Sequence, residues 1–259
     1  MTHPFNLTGK VALVTGGAQG LGRMIVEGLL SAGATVVFTS RKTDVCEAAA
    51  AEMADLGHCI PLAADLSSPE AAVDLAARVR EVAGDKLHIL VNNAGKTWGA
   101  PVEGFPDKGW PGVMMVNVQA PFTLLRELLP ELAAAGTPDD PSRVINIGSV
   151  AGKSTQGLSA YSYSASKAAI HMLSRDLAGD LADRNITVNA VLPGYFPTNV
   201  TAHMRDEEAV DPALLAKIPL RRMGRADEIA GIIVFLSSRA GGYITGAEIP
   251  VDGGIVGCS

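Results

Sequence analysis

Short apolar, β-branched runs alternate with longer segments of helical period along the chain. Residues 11–15, 35–40, 59–63, 87–91, 143–147, 187–192 and 248–251 read as strands. Between them the pattern predicts helices over 20–32, 43–55, 68–83, 108–135, 162–182 and 226–237. Leu21, Ile25, Gly28 and Leu29 share a face of the first helix. Ser68-Pro69-Glu70 is a helix start, and the long fourth helix is entered through Trp110-Pro111. Strands that are apolar almost throughout, each followed by a helix, belong to a parallel sheet covered on both faces. Right-handed crossovers then predict an α/β fold: a single-domain, Rossmann-type doubly wound parallel sheet of seven strands with helices on both faces, spanning 1–259. Residues 136–142 are a polar surface loop. Residues 193–224 form the longest stretch without a strand, and 193–217 are predicted to be a mobile substrate lid. In that lid Tyr195, Phe196 and Met204 turn inward, and Arg205-Asp206-Glu207-Glu208 face solvent.

The first strand runs into Thr15-Gly16-Gly17-Ala18-Gln19-Gly20-Leu21-Gly22. Glycines there permit positive φ and close backbone approach, and the helix that follows offers unpaired N–H groups to a phosphate. The spacing is G-x-x-x-G-x-G, not G-x-G-x-x-G, and its place in the first βα unit points to a dinucleotide site at Gly16, Gln19, Gly20, Leu21 and Gly22. A carboxylate at the end of the second strand would select NAD, and an arginine would accept the 2′-phosphate of NADP. The chain has Thr39-Ser40-Arg41-Lys42 there, with Asp44 further along. NADP(H) is therefore expected over NAD(H), with Ser40 and Arg41 at the phosphate. Asp65-Leu66, after the third strand, can place a carboxylate near the adenine amino group or cap the next helix.

Composition narrows the class. With 21 Lys and Arg against 27 Asp and Glu, the net charge of −6 disfavours a nucleic-acid or anionic-membrane binder. Hydrophobic content of 47% disfavours disorder. The three cysteines, Cys46, Cys59 and Cys258, are widely spaced and read as reduced thiols of a cytoplasmic protein. His3, His58, His88, His171 and His203 show no metal-ligand spacing and read as surface or satisfied histidines, so no metal is expected. No signal pattern or membrane span is read, and the N-x-T triplets at 6, 185 and 199 are taken as chance. Gly148–Ser154 falls one residue short of a phosphate-binding P-loop, and Ser149 lacks the G-x-S-x-G context of a serine hydrolase.

Tyr163 and Lys167 lie four apart at a helix start, so they share a face. An ammonium beside a phenol favours phenolate, which would lower the tyrosine pKa and suit a general acid for a ketone oxygen. Ser149 follows the fifth strand, at the carboxyl edge where open α/β sheets bind ligands. Tyr161 has Ala165 at the matching offset and reads as packing or substrate wall. Leu158, Tyr161, Tyr195, Phe196 and Met204 are candidates for an apolar pocket.

These residues, with Asn92-Asn93-Ala94-Gly95, Asn117, Pro193-Gly194 and Asp252-Gly253-Gly254, closely resemble the short-chain dehydrogenase/reductase family over nearly the whole chain. The resemblance implies that Ser149 orients a carbonyl, Tyr163 donates the proton, Lys167 lowers the tyrosine pKa and holds the nicotinamide ribose, and Asn117 completes a proton relay through water. It places Asn93, Ala94 and Gly95 beside the adenosine ribose, and Pro193, Gly194, Phe196 and Thr198 beside the nicotinamide. It also implies a homotetramer, or a homodimer, acting on a small carbonyl substrate. Ser149 and Tyr163 are 14 apart, one more than the commonest family spacing, so the extra residue should reshape the substrate wall within 150–162. That spacing, with Pro193-Gly194-Tyr195-Phe196-Pro197-Thr198, resembles the branch containing 3-oxoacyl reductases linked to rhamnolipid synthesis. The alternative, a noncatalytic nucleotide-binding sensor or scaffold, is disfavoured because Ser149, Tyr163 and Lys167 are all intact.

Overall fold

Seven strands pair in the order β3-β2-β1-β4-β5-β6-β7, every pair parallel. They are β1 (Val11–Val14), β2 (Thr35–Ser40), β3 (Cys59–Ala63), β4 (Ile89–Asn92), β5 (Ser142–Ile147), β6 (Ile186–Pro193) and β7 (Glu248–Val251). The computed structural model describes residues 3–198 and 212–258. Chain order reverses at β1, whose neighbours are β2 and β4. The loops leaving β1 and β4 therefore run in opposite directions and open a crevice at the carboxyl edge.

Alternation along the central strands feeds two cores. Ala12, Val14, Val36, Phe38, Ile145 and Ile147 pack against α1 (Gly20–Ser31), α2 (Thr43–Met53) and α9 (Ala226–Ser237). Leu13, Val37, Leu90, Val144 and Val188 face α3 (Pro69–Ala83), α5 (Ala120–Glu127), α6 (Leu129–Ala135) and α7 (Tyr161–Leu181). Gly28 lets α1 and α9 meet closely, since a Cβ there would lie 2.5 Å from that of Ala230. Ser68 caps α3 by accepting the Ala71 N–H at 3.2 Å, ahead of Pro69 in the first turn.

The predicted long helix over 108–135 is not continuous. It divides into α4 (Pro111–Met114), a π-helical turn Met115–Gln119, α5 and α6, with Leu128 leaving helical geometry between the last two. Two prolines account for the breaks, because each lacks an N–H and crowds the carbonyl four residues earlier. Pro121 thus denies Asn117 its α-helical partner, and Pro130 does the same to Arg126. A short helix, α8 (Pro212–Ala216), follows in the segment read as a lid. Met204 and Arg205-Asp206-Glu207-Glu208, together with His203 and the triplet at 199, lie outside the described residues.

At the edge opposite the crevice, cations close the end of α9. Arg143 is buried and donates from Nε to the Leu236 carbonyl and from Nη2 to that of Ser238, each at 2.8 Å. Lys10 Nζ donates to the Ser237 carbonyl. Asp140 binds both cations, at 2.7 Å from Lys10 and 3.1 Å from Arg143. The helix terminus, partly negative, and a carboxylate together offset part of the cost of burying two positive charges, whose pKa values burial still lowers.

Candidate active site

The glycine-rich turn is held from both sides. Thr39, on β2, accepts the Gly16 N–H through Oγ1 at 3.1 Å and the Gly17 N–H through its carbonyl at 2.8 Å. Just past β4, Asn93 Nδ2 donates to the carbonyls of Thr15 and Gly16, and Thr15 Oγ1 accepts the N–H groups of Asn93 and Ala94 at 3.0 Å. Gly16 has φ +68° and Gly20 has φ +57°. A side chain at Gly22 would strike the Gly16 carbonyl at 2.1 Å. Leu21 packs against the α1 core, and Gln19 is the extended residue at the helix entrance. Thr198 faces Gly20.

Ser40 ends β2 and Arg41 follows, exposed, with no carboxylate between them. Asp65 is exposed beyond β3 while Leu66 is buried in the core. A depression of about 300 Å³ runs beside Ala18, Gln19 and Arg23 to Asp44 and Val45 on α2.

Ser149, Asn117 and Lys167 are buried together where β5 and α7 meet the π-helical turn. Ser149 Oγ accepts the Ala151 N–H at 3.1 Å and also hydrogen-bonds Tyr163. Lys167 Nζ donates to the Ile147 carbonyl at 2.6 Å and stands 5.6 Å from the centroid of the Tyr163 ring. The Asn117 side chain is fully committed: Oδ1 accepts the Lys96 N–H, and Nδ2 donates to the Lys96 carbonyl and to Ser166 Oγ. Gly95 lies alongside, where a Cβ would stand 3.7 Å from Asn117 Oδ1 and 4.0 Å from Lys167 Nζ.

The electrostatics differ from the sequence expectation at Tyr163. Burial pushes its phenol above the ordinary value, and the hydrogen bond with Ser149 opposes that only in part. Lys167 is not among the groups that pull the phenol down. Its own burial lowers its pKa to about 8, and it hydrogen-bonds a main-chain carbonyl. The phenol is thus held in its proton-donating form.

The mouth of the site is made by loops. Ala100 N–H donates to the Ser159 carbonyl, joining the loop after β4 to the one before α7. Tyr161 packs edge-on against Phe105 at 5.3 Å, and Leu158 and Tyr161 are exposed. The Tyr195 hydroxyl bonds Gln156 Oε1 at 3.3 Å. Gly157 and Ser159, both at positive φ, bend the segment read as carrying the extra residue. Phe196 does not turn toward substrate. Its ring is buried in the core against Gly224, where a Cβ would approach within 2.4 Å. Pro193 ends β6, and Gly194 packs on Asp252.

One residue passed over in the sequence belongs here. His171 is buried, and its Nε2 accepts the Ser149 N–H at 3.3 Å. Its place eight residues after Tyr163, on the same helical face, was the available signal. Gly148–Ser154 forms a 3-10 turn with no helix start, unlike a P-loop. Among the described residues no His, Cys, Asp and Glu cluster could hold a metal, and no helix is long and apolar enough to cross a membrane.

A sequence model of the family described as enoyl-(acyl carrier protein) reductase matches residues 16–256. The chain is 46% identical, over 97% of its length and 98% of the relative's, to the rhamnolipids biosynthesis 3-oxoacyl-[acyl-carrier-protein] reductase of Pseudomonas aeruginosa. It is 36% identical, over 96% of both chains, to the 2-dehydro-3-deoxy-D-gluconate 5-dehydrogenase of Bacillus subtilis. A solved structure of the Pseudomonas aeruginosa RhlG/NADP active-site complex superposes with a TM-score of 0.93 at 46% identity, covering 98% of this chain and all of that one. With its sheet order, its glycine turn and its Ser149-Tyr163-Lys167 cluster, the chain belongs to the short-chain dehydrogenase/reductase family.

Proposed function

We propose that the protein is an NADP(H)-preferring oxidoreductase that transfers a hydride between nicotinamide and a ketone or secondary alcohol, with 3-oxoacyl thioesters as the substrate class. The observation that carries this reading is the convergence of Ser149, Tyr163 and Lys167 beside the glycine turn at the carboxyl edge. The name of the 46% identical relative supports the thioester, and the NADP in the superposed structure supports the cofactor.

The residues fit a dinucleotide. Gly16, Gln19, Gly20, Leu21 and Gly22 would hold the pyrophosphate on the N-terminus of α1. Ser40 and the exposed Arg41 would meet a 2′-phosphate. Asp65 and Leu66 would flank the adenine, and Asn93, Ala94 and Gly95 the adenosine ribose. Pro193, Gly194, Phe196 (through its main chain) and Thr198 would border the nicotinamide. When bound, the nicotinamide supplies or accepts the hydride.

The chain's own groups handle the proton. Ser149 Oγ accepts from Ala151 and hydrogen-bonds Tyr163, so the two hydroxyls stand side by side where both would meet the substrate carbonyl oxygen. Tyr163, protonated, donates to the same oxygen. Lys167 would hold the ribose hydroxyls of a bound dinucleotide and would stabilise the phenolate left behind. Because the Asn117 side chain is fully bonded, its carbonyl, denied an α-helical partner by Pro121, is the group that would hold a relay water.

The same reading makes the protein cytoplasmic and a homotetramer or homodimer. Phe122 on α5 and Met172 on α7, 40% and 49% exposed, are apolar surfaces that a two-fold axis could cover. Residues 193–217 are read as the substrate lid. The test of the activity is NADPH consumption with 3-oxoacyl thioesters and simple ketones, run beside NADH. Turnover of thioesters with NADPH in preference to NADH is expected. Absence of turnover across the panel with either cofactor would reject the assignment.

A further inference from the structure

Helix α7 brings a side chain other than Tyr163 and Lys167 to the end of β5. Tyr163, Lys167 and His171 follow one another at intervals of four, so a single stripe carries all three. Lys167 donates to the carbonyl of Ile147, and one turn later His171 accepts from the amide of Ser149. The helix thus grips the chain on both sides of Gly148, with opposite polarity at the two points. Room for the imidazole depends on glycines. A Cβ on Gly148 would lie 2.2 Å from His171 Nε2, and one on Gly152 2.8 Å from Cε1.

We propose that His171 is a positioning residue for Ser149: by accepting the Ser149 amide it fixes the turn from which the hydroxyl is presented to the substrate carbonyl. The hydroxyl oxygen is anchored separately, by the Ala151 N–H. With amide and oxygen both held, the hydroxyl stays beside the Tyr163 phenol, with which it hydrogen-bonds, where a substrate carbonyl oxygen would meet both groups. Small displacements at such a centre cost rate steeply, about 10²-fold for 1 Å.

Acceptance requires a lone pair on Nε2, so the ring must be neutral with its proton on Nδ1. The surroundings favour that form. Burial lowers the His171 pKa to about 4, outweighing the attraction of Glu248, while Lys167, Lys153 and Arg175 act with burial. Glu248 is itself paired with Lys153 and Arg175.

The proposal rests on the oxidoreductase reading, and two variants with one spectroscopic measurement separate the two. His171→Leu keeps bulk but cannot accept, whereas His171→Gln retains an acceptor oxygen at similar reach. In the full chain, His171→Leu should lower kcat about 10–100-fold with the NADPH Kd nearly unchanged, and His171→Gln should recover most of the loss. Unchanged kcat in His171→Leu, or equal losses in both variants, would overturn the role. Nitrogen NMR of the wild-type imidazole serves even if a variant fails to fold. A proton on Nδ1 throughout the range about pH 5.5–8.5 is expected; a proton on Nε2, or titration in that range, would refute the proposal. A wild-type chain inactive toward every ketone and thioester would count against the function alone, leaving the tautomer to decide the geometry.

Discussion

At Tyr163 and Lys167 a few ångströms of burial decide which proton sits where. Tyr163→Phe removes the donor and keeps the ring, so kcat for reduction should fall by about 10²–10⁴-fold; a variant turning over at near the wild-type rate would exclude Tyr163 as the acid. Because burial raises the phenol pKa, reduction should persist into alkaline solution while alcohol oxidation, which needs phenolate, should rise with pH. Lys167 contributes oppositely to activity and stability. Its folded pKa of about 8 lies below the usual 10.5, so burying the charged form costs on the order of 3 kcal/mol at about 1.4 kcal/mol per pKa unit. The sign follows from proton counts: between about 8 and 10.5 the unfolded chain binds more protons, so this group's contribution to stability rises with pH across that window. Lys167→Met in the cofactor-free protein should therefore raise Tm while abolishing most turnover, even though the Ile147 carbonyl loses a partner; a lowered Tm would contradict this account.

Among elements, the broken region from α4 to α6 is the most informative. Pro121→Ala restores an N–H opposite the Asn117 carbonyl and permits a continuous α-helix, which would turn Asn117 away from Lys96 and Ser166. The expected outcome is a loss of about tenfold or more in kcat with equal or higher Tm, read from steady-state kinetics and calorimetry. Retained kcat would mean that the π-helical turn has a cause other than Pro121. This is also where the sequence was least legible. β2, β3, β7 and α9 have the bounds that β-branched runs and helical period predict, because each pattern is local. Over 108–135 the apolar period runs unbroken through Pro121 and Pro130, and periodicity carries no information about a missing N–H. The cluster of Ser149, Tyr163, Lys167 and Asn117 was legible through spacing and resemblance. The burial that reverses the Tyr163 shift, the inward packing of Phe196 and the part played by His171 depend on neighbours distant in sequence.

For the molecule as a whole, the two edges of the sheet divide the work. The proposed chemistry sits at the carboxyl edge, while Lys10, Asp140 and Arg143 bind β1, the 136–142 loop, β5 and α9 together at the other. Asp140→Ala strands two buried cations and should cost about 3–5 kcal/mol, seen as a lowered Tm with kcat unaffected at a temperature where the variant is folded. A Tm close to wild type would show that the α9 carbonyls suffice alone. Light scattering tests the assembly: Phe122→Asp and Met172→Asp should shift a multimer toward monomer, and a wild-type monomer at micromolar concentration would remove the basis for that surface.

The glycine turn is held in place by Thr39 and Asn93, through hydrogen bonds that the chain itself supplies. A dinucleotide arriving there meets amides already arranged, so the entropy of ordering that loop is spent during folding and not on association. Loss of the scaffold should then show in the thermodynamic signature of binding more than in the contacts made. In Thr39→Ala, titration calorimetry should find a less favourable binding entropy and a larger heat-capacity change, as the loop orders only when the ligand arrives.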